Sequence, residues 1–222
     1  MIVTLSGPDG VGKSTQLQLL LERARCCGWR ASSMWYRPGY SDELDALRGL
    51  VRRIRPSVLP PPGRSSRREA VFAKRGVSEA WLAVAVVDAC AQYGLRVRYL
   101  AAKNDLLICD RYVHDAILDI DLAFPNNVDL RSSARWALAR CAPSPDVAIL
   151  LVGDDVMLDC RARLKNEPFP DREDALKLRR SLYRALAGSG RFVVVDAGDD
   201  EQAVHRALWA SVASHKRAPR VR

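Results

Sequence analysis

The 222-residue chain reads as an α/β domain in three layers, with five parallel strands between two layers of helices. Three observations predict this. Short apolar runs recur at about 2–6, 30–36, 105–109, 146–152 and 191–195, and unbroken apolarity is what a strand buried on both faces shows. Helix-periodic stretches separate them, which is the pattern of a parallel sheet covered on both sides. Between the first run and the first helix, Gly7-Pro8-Asp9-Gly10-Val11-Gly12-Lys13-Ser14 matches G-x-x-x-x-G-K-[ST] in full.

Each element has a local reason. Ile2 to Ser6 is an apolar run stopped by glycine. Thr15 to Cys27 carries leucines at 17, 19, 20 and 21 and ends at Gly28, a helix with a glycine cap. The strand at 30–36 stops at Arg37-Pro38-Gly39, and Ser41 or Asp42 can cap a helix reaching about Ile54. Pro60-Pro61-Pro62-Gly63 makes 56–67 a loop. A long helix fills Ser78 to Ala102, with Trp81, Leu82, Ala85, Val86 and Ala89 along it. The strand Asp105 to Cys109 runs into Asp110, and helices follow at 113–122 and 129–141. The strand Asp146 to Val152 leads to a helix over Asp154–Leu164, a polar loop at 166–170 and a helix over Asp171–Ala187. The last strand begins at Arg191, and the last helix spans Asp199–Ala213. The expected organisation is one domain over 1–215, with a lid at about 161–173 and a basic, disordered tail at 216–222.

Composition narrows the class. Apolar residues make up 48% and charged residues 27%, ordinary for a soluble globular protein. No apolar run approaches a membrane span and the first residues lack a basic, apolar leader, so a cytoplasmic protein without a membrane partner is expected. Six cysteines without a C-x-x-C pair read as reduced thiols, and three scattered histidines argue against zinc. The net charge of +9 points to anionic partners, among them nucleotides, nucleic acid and phosphorylated metabolites. Arginines and lysines concentrate in 48–75 and in the tail.

The glycine-rich loop is the strongest chemical signal. Its glycines let backbone N–H groups turn inward on phosphate oxygens, and the helix behind it adds a positive N-terminal end. Gly7, Asp9, Gly10, Val11, Gly12, Lys13, Ser14 and Thr15 therefore form a predicted cradle for the phosphates of ATP. Lys13 bridges the β- and γ-phosphates, and the Ser14 hydroxyl ligates Mg²⁺. The fold class is accordingly that of the P-loop NTPases.

Four segments in order resemble thymidylate kinases: the loop with acidic Asp9 in its middle, Arg37-Pro38-Gly39, Asp110-Arg111-Tyr112, and an arginine-bearing stretch with Arg161, Arg163, Lys165 and Asp171-Arg172. The resemblance covers most of the chain. It implies phosphoryl transfer from ATP to a nucleotide-like acceptor. Arg37 grips the acceptor's phosphate, and Asp9 orients the acceptor or takes a proton. Asp110 holds the magnesium hydration shell beside the acceptor, and Arg111 clamps phosphates. Because position 10 is glycine, charge in the transition state falls to the lid residues Arg161, Arg163, Lys165 and Arg172. A homodimer through the long apolar helices is implied as well.

The base-reading part departs from that family. Where thymidylate kinases carry an aromatic residue and then Ala-Asp-Arg on the long helix, this chain reads Ala85-Val86-Val87-Asp88-Ala89. Trp81, one turn earlier, either stacks on the acceptor or packs in the core. Where the family places a serine and then Tyr-Gln, the chain has Asp115 and Asp119 at i, i+4 spacing. They either cap and solvate a helix or line a pocket rebuilt for a hydroxyl- or amine-bearing acceptor. Three readings follow: a nucleoside-monophosphate kinase, a kinase of a nonstandard acceptor that includes nucleotides within nucleic acid, and a non-catalytic ATP-binding regulator.

Overall fold

A computed structural model describes residues 1–38, 41, 75–124, 127–164, 173–215 and 218, with only the backbone at 75, 77, 78, 162–164 and 173. The expected helix from Ser41 or Asp42 to Ile54, the loop at 56–67, Gly39, residues 165–172 of the lid and nearly all of the tail lie outside these.

Five strands form one sheet: β1 (Ile2–Ser6), β2 (Ala31–Trp35), β3 (Leu106–Asp110), β4 (Val147–Val152) and β5 (Val193–Asp196). They are ordered β2-β3-β1-β4-β5, and every pairing is parallel. The helices are α1 (Lys13–Cys26), α2 (Arg75–Cys90), α3 (Val97–Lys103), α4 (Val113–Ala123), α5 (Val128–Cys141), α6 (Asp155–Leu164), α7 (Glu173–Ala187) and α8 (Glu201–Ala213). The expected α/β architecture with helices on both faces is what forms.

The period of two along each strand splits the core. Val3, Leu5, Leu106, Ile108, Ile149 and Leu151 pack with α1 and α8. Ile2, Met34, Leu107 and Cys109 point the other way, onto Leu82, Ala89, Tyr93 and Val97 of the long helix. A third cluster joins Leu118 of α4 and Leu150 of β4 to Tyr183 of α7. β2 and β5 are the edge strands, and on β5 Val193 and Val194 are exposed.

The long helix predicted over 78–102 is one rod in three parts, because a π-helical stretch (Ala91–Arg96) joins α2 to α3. Its buried positions Ala89, Tyr93 and Val97 are spaced by four. In a straight α-helix that spacing drifts about 40° per step, and the wider π turn offsets the drift, so Tyr93 and Val97 stay on the sheet. The segment Glu79–Lys103 is long and apolar enough to cross a membrane by length and composition alone, with a mean hydropathy of 1.2 over its most apolar window. Leu82, Ala89, Tyr93 and Val97 pack onto the sheet, whereas Val84, Val87, Leu95 and Tyr99 are exposed.

Chain direction sets where the site must be. From β1 the chain goes to β2 and β3 on one side, then crosses over β1 to β4 and β5 on the other. In open parallel sheets such a reversal opens a crevice at the strands' carboxyl ends. The loops after β1, β2 and β3 all leave from there.

Candidate active site

The loop after β1 folds as its composition demands. Gly7 has φ 145°, and a Cβ there would lie 2.5 Å from the Leu151 carbonyl oxygen, so no other residue fits. α1 starts at Lys13, two residues earlier than predicted, behind Gly12 and with no side chain capping it. Its first N–H groups are thus left to the cavity in front of them. That cavity measures about 520 Å³. Asp9 to Gln16 line it, with Trp35, Asp110, Arg111 and Arg161 around the rim.

Lys13 is buried and donates from Nζ to the carbonyl oxygens of Gly7 and Pro8, both at 2.8 Å, with the Asp9 carboxylate 3.8 Å away. Burial lowers its pKa to about 8, despite the opposing charge of Asp9. For Asp9 burial acts upward, but Arg111, Lys13, Arg179 and Arg37 together outweigh it and hold the carboxyl below the usual range. Asp9 is therefore ionised in a ring of four cations.

Arg111 donates from Nη2 to Asp9 Oδ1 at 2.5 Å. It is the one non-glycine residue among those described with positive φ, at 74°. Its own N–H is tied to the Leu5 carbonyl at 3.0 Å, so β1 holds this uncommon backbone in place. Asp110, the last residue of β3, is buried, and its Oδ1 has no hydrogen-bond partner. Burial raises its pKa, partly offset by Lys13 and Arg111. A hard cation fits there: Asp110 and the exposed Ser14 hydroxyl offer oxygen donors, and Mg²⁺ takes one or two protein oxygens together with phosphate and water.

Arg37, just beyond β2, does not point to the loop. Its Nε and Nη2 donate to the two carboxylate oxygens of Asp119 on α4, at 2.9 and 3.1 Å. The Nη1 of Arg179, on α7, donates to Asp119 Oδ1 at 2.5 Å. Asp115, one turn before Asp119, is fully buried. It accepts from Ser6 Oγ at 2.6 Å, Tyr112 N at 2.9 Å and Tyr183 OH at 2.6 Å. Three neutral donors from β1, α4's start and α7 meet on it, so it fastens those elements together. Asp88, within the stretch that departs from the family pattern, accepts from Tyr36 OH at 2.9 Å and Ser41 Oγ at 2.8 Å.

The structure thus brings together Asp9, Lys13, Asp110 and Arg111, and beside them Arg37, Asp119 and Asp115. Arg161 reaches over the loop, its Nη1 3.8 Å from where a Cβ on Gly12 would be. Trp81 is half-buried on α2 and does not line the loop cavity. The side chains of Arg163, Lys165 and Arg172 lie outside the described residues. Sequence reading missed Trp35, Arg179 and Tyr183. The signal for two of them was present: Leu176, Arg179, Arg180 and Tyr183 follow i, i+3, i+4, i+7, the inward stripe of a helix, with arginine at two of its positions.

No protein-family model matches the chain. Curated relatives do. It is 30% identical to a thymidylate kinase of Leifsonia xyli over 89% of this chain and 87% of that one. A thymidylate kinase of Bordetella petrii is 28% identical over 95% and 93% of the two chains. One of Solidesulfovibrio magneticus is 26% identical over 96% and 98%.

Proposed function

The chain belongs to the thymidylate kinase family, and from that membership we propose that it transfers the γ-phosphoryl group of ATP to dTMP or a closely related pyrimidine nucleoside monophosphate. It is an ATP-dependent nucleotide kinase. One observation carries the reading: the loops after β1, β2 and β3 supply a phosphate cradle with Asp9 in it and two arginines, 37 and 111, whose charges both act on Asp9.

The chemistry is positioning and charge rather than covalent catalysis. The first turn of α1 and the loop N–H groups hold the ATP phosphates. Lys13 exchanges the carbonyls of Gly7 and Pro8 for phosphate oxygens and spans the bond that breaks. Asp110 and Ser14 would hold Mg²⁺, which neutralises phosphate charge when bound. Asp9, kept ionised by its neighbours, turns the Arg111 guanidinium toward the acceptor's phosphate. Arg37 supplies a planar fork that matches a phosphate. Arg161 stands over Gly12 and closes the phosphates from above, with Arg163, Lys165 and Arg172 completing the lid. Excluding water there limits hydrolysis of ATP. Residues 1–215 act as one domain, in the cytoplasm.

An ADP-release assay with Mg·ATP and a panel of nucleoside monophosphates, free nucleosides and DNA tests the reading, with Lys13→Ala as blank. Turnover is expected with dTMP or another pyrimidine monophosphate and not with thymidine or DNA. Arg37→Ala should raise the acceptor KM about tenfold or more while leaving the KM for ATP within twofold. An unchanged acceptor KM would remove Arg37 from the acceptor site. Turnover with DNA alone would replace the proposal by the polymer reading.

A further inference from the structure

Two guanidinium groups from distant parts of the chain converge on one carboxylate. Arg37 lies 82 residues from Asp119 and Arg179 lies 60 from it. Arg37 holds both carboxylate oxygens, and Arg179 adds a third bond to Oδ1. Arg179 and Asp119 have side chains only 5% and 9% exposed, whereas Arg37 is 29% exposed. A buried carboxylate needs one such fork to be satisfied, and a second buried arginine is an expensive addition unless it has another use. Arg37 is the more exposed arginine of the cluster, and the charges of both Arg37 and Arg179 act on Asp9 of the phosphate loop. A phosphate monoester has the same need as a carboxylate, with one more oxygen and up to one more negative charge.

We infer that Arg179 is the second half of the acceptor-phosphate fork, and that Asp119 is a built-in counter-anion that competes with the acceptor's phosphate for the same donors. This rests on the nucleotide-kinase reading above for Arg37 and adds to it both the partner arginine and the competitor. An acceptor without a phosphate cannot displace Asp119 and leaves the forks where they are. The cluster therefore selects for a phosphorylated acceptor, at a cost in affinity set by how fully Asp119 holds the arginines.

Titration calorimetry with dTMP and with inorganic phosphate, on the full chain, tests the inference, with Mg·ATP binding as the control for an intact fold. Asp119→Asn keeps the shape and removes the charge. It should bind both probes about tenfold more tightly, with ATP affinity unchanged within twofold. Arg179→Met should bind both about tenfold or more weakly, and Arg179→Lys should recover part of the loss. Tighter binding of inorganic phosphate by Asp119→Asn, with dTMP bound no better than phosphate, would uphold the fork and reject the nucleotide acceptor. No gain in Asp119→Asn, or no loss in Arg179→Met, on protein that binds ATP normally, overturns the inference. Should the variants not fold, the wild-type chain still decides: the Nε–H resonances of Arg37 and Arg179 must both move on addition of phosphate. A still Arg179 signal rejects its role.

Discussion

The phosphate loop and the cluster across Asp9 do the same electrostatic work with opposite materials. The loop uses backbone: consecutive residues, a helix start with no side-chain cap, and a glycine whose Cβ would strike a neighbouring carbonyl. The cluster uses side chains drawn from β1, the segments just after β2 and β3, α4 and α7, joined by bonds that span up to 109 residues of chain. A backbone site is rigid once its strand and helix are in place. A side-chain site is set by who else is buried nearby, so it can be rebuilt by a few substitutions without touching the fold.

Breaking the loop should have the largest effect. Lys13→Ala removes the one mobile cation of the backbone-built half, and turnover should fall on the order of a thousandfold while the thermal midpoint changes little. A variant that kept a tenth of wild-type activity would show that the arginines, not the loop, carry the transition-state charge.

On the other side, the expected loss is in stability. Asp115→Ala strands the hydroxyls of Ser6 and Tyr183 and the N–H of Tyr112 in a dry interior. Unfolding free energy should drop by about 3 kcal/mol, and the melting temperature by ~10 °C. A fall in activity with no change in melting would make Asp115 a contact to substrate instead.

The smallest effect sharpens the contrast through protons. Folding lowers the Lys13 pKa from 10.5 to about 8, so between those values the native chain binds fewer protons than the unfolded one. Stability from this group therefore rises with pH across that window, and the full cost of the buried charge is felt below it. Phosphates favour the charged amine and reverse the shift. ATP binding at pH 8 should then take up about half a proton, seen as a dependence of binding heat on buffer ionisation and absent in Lys13→Ala. No uptake in the wild type would mean that Lys13 stays protonated throughout.

The two regions also differ in how far the sequence disclosed them. Gly7 to Ser14 was legible because the bonds that shape it are local, such as those from Lys13 to the Gly7 and Pro8 carbonyls, and the strand–helix setting of the motif follows from the apolar pattern on either side. The five strands were legible for the same reason, within a residue or two of their ends. Arg37 was legible as a position but not its partner, because no periodicity links residue 37 to residue 119. Asp115 and Asp119 stood out as unusual, yet their i, i+4 spacing fits a solvated helix face as well as a buried one. Arg179 was hidden by its neighbours: an Arg-Arg pair in a polar helix reads as surface unless the flanking Leu176 and Tyr183 are used to find the inward stripe. The stretch 85–89 stood out only for departing from the family pattern, and nothing in it disclosed that Asp88 ties Tyr36 and Ser41 to the long helix.

Arg179 has a neighbour with its own engagement. Arg180 reaches from α7 to Asp155 and Asp159 on α6, and Arg184 binds Asp155 as well. Adjacent residues on a helix point about 100° apart, so α7 has one arm on Asp119 of α4 and another on Asp155 and Asp159 of α6. α7 is thereby tied by charge to α4 on one side and to α6 on the other.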